Sequence, residues 1–134
     1  MSGECKLISV YTQDQAVEDG FLVNVSELAK EAGFQIPVHL TCGVQSLCEA
    51  PEDLKDCQDY TGRLWDVLNM AVATFRVKKA QLHSDGLDTS EIAYEMRIVE
   101  FHTLFQMAEG MVKERLWLVF NEYEGFTIIL PEEY

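Results

Sequence analysis

Four residues could bring ligand or nucleophile chemistry together: His39, Cys42, Cys48 and Cys57, in the pattern His-x2-Cys-x5-Cys-x8-Cys. Imidazole and thiolates are zinc ligands, but structural zinc sites use Cys-x2–4-Cys knuckles, and none is present. Buried thiols are the better reading, with no metal. A cysteine nucleophile with His39 as base is the catalytic alternative. Cys42 follows Thr41, a residue able to cap a helix, and the helix dipole there would lower a thiol pKa. Nothing in the spacing demands such a pair, and no Gly-rich elbow accompanies it. His102, beside Phe101, reads as a structural or surface residue. Phosphate-loop, dinucleotide, zinc-protease and calcium-loop spacings are absent. The reading leans away from an enzyme and calls for no cofactor.

Carboxylates are the second group. The chain carries 23 Asp and Glu against 10 Lys and Arg, a net charge of −13 over 134 residues. They cluster as Asp14, Glu18 and Asp19, as Glu49, Glu52, Asp53, Asp56 and Asp59, and as Glu122, Glu124, Glu132 and Glu133. On a helix, Glu52, Asp56 and Asp59 would share one face. A mimic of duplex DNA needs carboxylates in rows, at about one charge per ~1.7 Å of axis. The plainer alternative, a solvated and solubilising face, weighs ahead of mimicry. Arg63 and Trp65 are the residue types that anchor interfaces. Against that stands a structural role, with Trp65 partly in the core and Arg63 paired with Asp59 or Asp66.

A strongly acidic surface repels nucleic acid and anionic lipid and attracts basic protein surfaces. Hydrophobic residues make up 48 % of the chain, which excludes a disordered acidic polymer and supports one folded domain over 1–134. No apolar run approaches the ~20 residues of a membrane span. The N-terminus lacks the basic-then-apolar pattern of a signal peptide, so cytoplasmic residence is the expectation.

These groups must be positioned by elements that the sequence punctuates with glycine and capping residues. Lys6 to Tyr11 predicts a strand, and Thr12 opens a short helix that ends at Gly20. Phe21 to Val25 is extended. Ser26 caps a helix over Glu27–Ala32, closed by Gly33. Phe34 to Leu40 contains Pro37 and predicts an edge strand or connector. Thr41 caps a helix to about Ala50, Pro51 opens a turn or fresh helix, and Gln58 to Gly62 is turn-like. Leu64, Val67, Leu68, Ala71, Val72 and Phe75 form one continuous apolar helical face. Arg76, Lys78 and Lys79 follow as positive charge for that helix's C-terminus. Alternation from Ile92 to Val99 predicts a strand, and Leu104 to Val112 a connecting helix or loop. Leu116–Phe120 and Phe126–Leu130 form a hairpin closed by Gly125. The expected fold is α+β: short helices and extended segments, one long core helix, then a C-terminal antiparallel sheet packed on that helix.

Three stretches carry a resemblance. They are Tyr11-Thr12-x-x-Gln15-Ala16 running through Asp19-Gly20, Val25-Ser26-Glu27, Ala32-Gly33-Phe34 and Pro37-Val38; Gly62-Arg63-Leu64-Trp65-Asp66-Val67-Leu68; and Thr127-Ile-x-Leu-Pro131-Glu. Together they resemble an uncharacterised family, a domain of unknown function carried by plasmids, phages and integrated mobile elements. The resemblance is close over the N-terminal half, loose at the last strand and absent between about Lys79 and Val112. It implies a mobile-element accessory protein and no particular reaction. Small acidic proteins on such elements often act against host defence.

The leading expectation is therefore a non-enzymatic, protein-binding inhibitor of anti-CRISPR or anti-restriction type. It would occlude a basic, nucleic-acid-binding surface of a host complex. Glu52, Asp53, Asp56 and Asp59 would carry the contact, then Asp14, Glu18 and Asp19, with Arg63 and Trp65 as anchors. The rival is a small enzyme or ligand-binding domain, with a pocket between the helical half and the C-terminal sheet that uses Tyr11, His39 or Cys42. A third reading is a homo-oligomer built on Leu116–Phe120 as an exposed edge.

Overall fold

The structure is a computed structural model that describes residues 22–49, 60–107, 110–121 and 125–134. Among these residues, helices pack on one face of a five-stranded mixed sheet, the α+β arrangement expected. The expected strand at 6–11, the helix at 12–20 and the turn at 51–53 lie outside the described residues.

The first strand, β1 (Leu22–Asn24), leads into helix α1 (Ser26–Ala32). Ser26 does not cap this helix as its type suggested. Its hydroxyl accepts from the Val38 amide at 3.0 Å and donates to the Val38 carbonyl at 3.4 Å, tying α1 to the next strand. Asn24 instead takes up the Ser26 amide at 2.9 Å. Gly33 closes α1 as expected, at φ 120°, a conformation that glycine enters without a Cβ penalty.

Strand β2 (Val38–Thr41) is an interior strand, not the edge that Pro37 suggested. Proline is harmless here because it stands just before the ladder, where its carbonyl accepts from the Phe126 amide at 2.9 Å. Thr41 caps α2 (Cys42–Cys48), accepting from the Val44 amide at 3.4 Å.

The long helix α3 (Tyr60–Ser84) is the core helix. It begins at Tyr60, so the turn-like reading of residues 60–62 is corrected, and Gly62 sits within its first turn. It also runs past Lys79, which places Arg76, Lys78 and Lys79 within the helix rather than at its end. Leu64, Val67, Leu68, Ala71 and Val72 are buried against the sheet, and each such aliphatic side chain contributes roughly 1.5–3 kcal/mol.

The expected strand at Ile92–Val99 is instead helix α4 (Thr89–Glu95) followed by the start of β3 (Ile98–Met107). Asp88 and Glu91 form a full capping box: the Asp88 carboxylate accepts from the Glu91 amide at 2.8 Å, and Glu91 accepts from the Asp88 amide at 3.0 Å. Ile92 and Met96, four apart, are buried, while Tyr94 is exposed. Leu104 to Val112 is neither helix nor loop, since its described residues belong to β3 and its antiparallel partner β4 (Gly110–Asn121). The hairpin of β4 with β5 (Gly125–Ile129) is as expected. The sheet order is β1-β2-β5-β4-β3, and β2 pairs β5 in parallel, so the sheet is mixed. Leu116–Phe120 therefore lies inside the sheet; among the described strands the edges are β1 and β3.

Candidate functional site

The acidic residues singled out in the sequence, Glu52, Asp53, Asp56, Asp59, Asp14, Glu18 and Asp19, lie outside the described residues, as do Tyr11 and Cys57. Arg63 is not displayed to a partner. It is 4 % exposed, and its guanidinium donates to the Leu47 carbonyl at 2.9 Å and 3.3 Å through Nη2 and Nε. Trp65 is 36 % exposed, so its indole is partly available to a partner.

The cysteine pattern separates by burial. Cys42 is exposed at the start of α2, and His39 is buried in β2. Cys48 is buried against α3, and desolvation pushes its thiol up to about 12, against the opposing pull of Arg63. Such a thiol stays protonated at neutral pH and is a poor nucleophile. Among the described residues, no group of three or more His, Cys, Asp or Glu could hold a metal ion.

Carboxylates are plentiful, and several are uncommitted among the described residues. Glu100 meets Arg115 at 3.6 Å, and both side chains are about half exposed, a pair of small energetic weight. Glu27, Glu31, Glu49, Asp66, Glu95 and Glu132 are exposed and make no ion pair or side-chain hydrogen bond among the described residues. Glu133 differs: it accepts from the Thr41 hydroxyl and from the Leu130 amide, both at 2.7 Å, and pins the C-terminal turn to α2.

A groove does open between the helices and the C-terminal sheet. Its floor is aromatic, built around Phe126, whose ring lies 5.4 Å from Phe34 and 5.3 Å from both Phe75 and Phe120. One arm, of about 370 Å³, runs from Gly33–Ile36 across α3 to Arg76 and Lys79. A second arm, of about 220 Å³, continues past Lys79 to Thr89, Ile92 and Met96. Arg76 lies close against Gly33, where a Cβ would come within 2.8 Å of its Nη2. Neither Arg76 nor Lys79 pairs with a carboxylate among the described residues. An apolar floor with two uncommitted cations suits an amphipathic anion, and the first arm falls within the usual ligand volume of about 300–1,000 Å³. His39 and Cys42 do not line it. The sequence hid this site because its phenylalanines are scattered and its cations read as a helix end.

Fold and surface together define an acidic α+β domain with a five-stranded mixed sheet. No family model, curated protein or solved structure matches the chain.

Proposed function

We propose that this protein is a non-enzymatic accessory factor of a mobile element. It binds a basic protein surface and inhibits a nucleic-acid-handling defence complex by occluding that surface with carboxylates. The observation that carries the reading is the set of carboxylates that are exposed and unpaired among the described residues, on a chain of net charge −13. With 23 acidic against 10 basic side chains, internal ion pairing cannot neutralise the chain, and the exposed carboxylates of the described residues are available to act on partners. The motifs shared with the mobile-element family supply the biological setting. The test is a panel of purified CRISPR and restriction nucleases assayed with this protein over a salt series. Inhibition should weaken steeply as salt rises, because exposed charges are screened within about 8 Å at physiological ionic strength. Absence of inhibition across the panel, or inhibition indifferent to salt, refutes the electrostatic mechanism.

A second reading has its own observation, the aromatic groove beside Arg76 and Lys79. There the protein binds a small amphipathic anion. An anionic aromatic dye should bind the native chain and lose affinity in Arg76→Gln and Lys79→Gln; equal binding by all three rejects this reading.

A further inference from the structure

Strand β3 is one of the two outer strands of the sheet, and among the described residues no strand pairs with its outer edge, which is long and poorly defended. Its ten residues include no Lys, Pro or Gly and a single carboxylate, whereas exposed edges are ordinarily blunted by such residues. The direction of its backbone groups follows from two observations. The Phe120 amide donates to the Arg97 carbonyl at 2.8 Å, which makes 97 and 120 a hydrogen-bonded pair of the antiparallel ladder. Bonded and non-bonded pairs alternate, so Val99, Phe101, Thr103 and Phe105 bond to β4. Ile98, Glu100, His102 and Leu104 then point their amides and carbonyls away from the sheet. Lys78 Nζ meets the Ile98 carbonyl from that outer side at 3.3 Å. That lysine also holds the Glu95 carbonyl at 2.8 Å, so it can release Ile98 without losing its anchor.

The surroundings are apolar and less acidic than the rest of the chain. Leu104 is 56 % exposed on the sheet face turned away from α3. Along α3, Arg63 reaches β3 near Phe105 and Lys78 reaches it at Ile98, which fixes the flank of the helix that overlooks the edge. Met70 and Val77 continue the seven-residue spacing of Arg63 on that flank and are exposed. Over residues 97–121 the cations Arg97, Lys113 and Arg115 balance Glu100, Glu109 and Glu114, so this stretch of sequence is neutral in a chain of net charge −13 and adds no repulsion between copies.

We propose that β3 pairs with β3 of a second copy of this chain, antiparallel about Phe101, joining the two sheets into one. Only outward-facing residues can form the new bonded pairs, so few two-fold registers exist. Centring on Glu100 sets two carboxylates face to face, and centring on His102 sets Glu100 against the partner's Leu104. Centring on Phe101 pairs four of the five outward residues of β3, leaving Gln106 beyond the junction. It places Glu100 opposite the partner's His102 and Ile98 opposite the partner's Leu104, a polar pair beside an apolar pair. The Met70–Val77 flanks of the two α3 helices then face each other across the junction.

The test is sedimentation velocity on the full chain over a concentration series. A dimer is expected. Met70→Lys with Val77→Lys should raise its dissociation constant by about tenfold or more, with unchanged circular dichroism, since both positions are exposed in the single copy. The register is read by Glu100→Cys combined with His102→Cys. Bonded pairs stand about 5.5 Å apart at Cα, within disulfide reach, so this variant should form a covalent dimer without reductant while the parent chain does not. A monomer up to about 1 mM overturns the proposal, as does a monomer that instead takes up an extended foreign peptide. A dimer in which the double cysteine variant fails to cross-link overturns the register.

Discussion

The guanidinium carbon of Arg63 lies 4.9 Å from the centroid of the Phe105 ring, joining the first turns of α3 to β3 through a buried cation. The same guanidinium donates twice to the Leu47 carbonyl in the last turn of α2, where helix carbonyls lack intrahelical partners. One side chain thus ties together two helices and the outer strand. Burial draws its pKa down from the ordinary arginine value, yet it remains charged.

Removing it leaves the Leu47 carbonyl unsatisfied and opens the contact with Phe105. Arg63→Ala should therefore destabilise the fold by about 2–4 kcal/mol, the sum of a charged hydrogen bond and a desolvated cation–π contact. Arg63→Lys should recover part of this, because an ammonium keeps the charge and loses the fork. Urea unfolding of the three proteins measures it. A loss below about 0.5 kcal/mol for the alanine variant would show that the cation is dispensable.

Cys48 makes the stability sensitive to alkali. Its thiol titrates at about 12 in the folded chain against 9.0 for an unperturbed thiol, because burial disfavours the thiolate. Below pH 9 both states are protonated and this stabilisation is fully present. Between the two values the unfolded chain binds fewer protons, so stability falls as pH rises, by up to about 1.4 kcal/mol per pH unit. Tyr60, whose phenol burial also pushes up, adds a slope of the same sign at higher pH. Cys48→Ala should flatten the decline between about pH 9 and pH 11, measured by denaturant unfolding at each pH. An unchanged slope would mean that the thiol is not the titrating group.

Periodicity made the core of this fold legible and hid its edge. The apolar face from Leu64 to Val72 announces α3, and the hairpin of β4 and β5 follows from apolar runs closed by Gly125. Between Ile92 and Ile98 the alternation misleads, because a buried residue of a short helix, its buried C-cap Met96 and the first residue of a strand fall on even positions by coincidence. The Asp88–Glu91 capping box was the local signal that decides for a helix. Ser26 shows the opposite failure: its type suits a cap, but the long-range partner Val38 takes its hydroxyl. The hairpin alone brings Phe120 opposite Phe126, but the groove could not be read from the sequence, since Phe34 and Phe75 join them only through the parallel pairing of β2 with β5 and the packing of α3.

Gly125 guards that pairing. It lies at φ +99°, and a Cβ there would drive into the Pro37 carbonyl, the group that accepts from Phe126. Gly125→Ala meets both a left-handed backbone and a backbone neighbour that has no side-chain freedom to yield. A loss of about 3 kcal/mol or more is expected in thermal or urea unfolding. Gly86, also at positive φ but with nothing within 4 Å, is the control, and Gly86→Ala should lose only about 1 kcal/mol. Equal losses at the two sites would remove the close approach to Pro37 as the cause.

Thr103 offers a gain rather than a loss. It sits in β3 with its side chain on the core face, 2 % exposed, and its hydroxyl has no hydrogen-bond partner among the described residues. A buried hydroxyl left unpaired carries a desolvation penalty of about 1–3 kcal/mol, and valine has nearly the same shape without that oxygen. Valine is also β-branched, so it keeps the stiffness that suits a strand beneath α3. Thr103→Val should therefore raise stability by about 1 kcal/mol, read as a higher midpoint in urea at unchanged slope. Because Thr103 bonds its backbone to β4 and not to the outer edge, the substitution leaves the proposed β3 pairing intact. A destabilised Thr103→Val variant would show that the hydroxyl has a partner in solution, such as a bound water, that holds this part of the core.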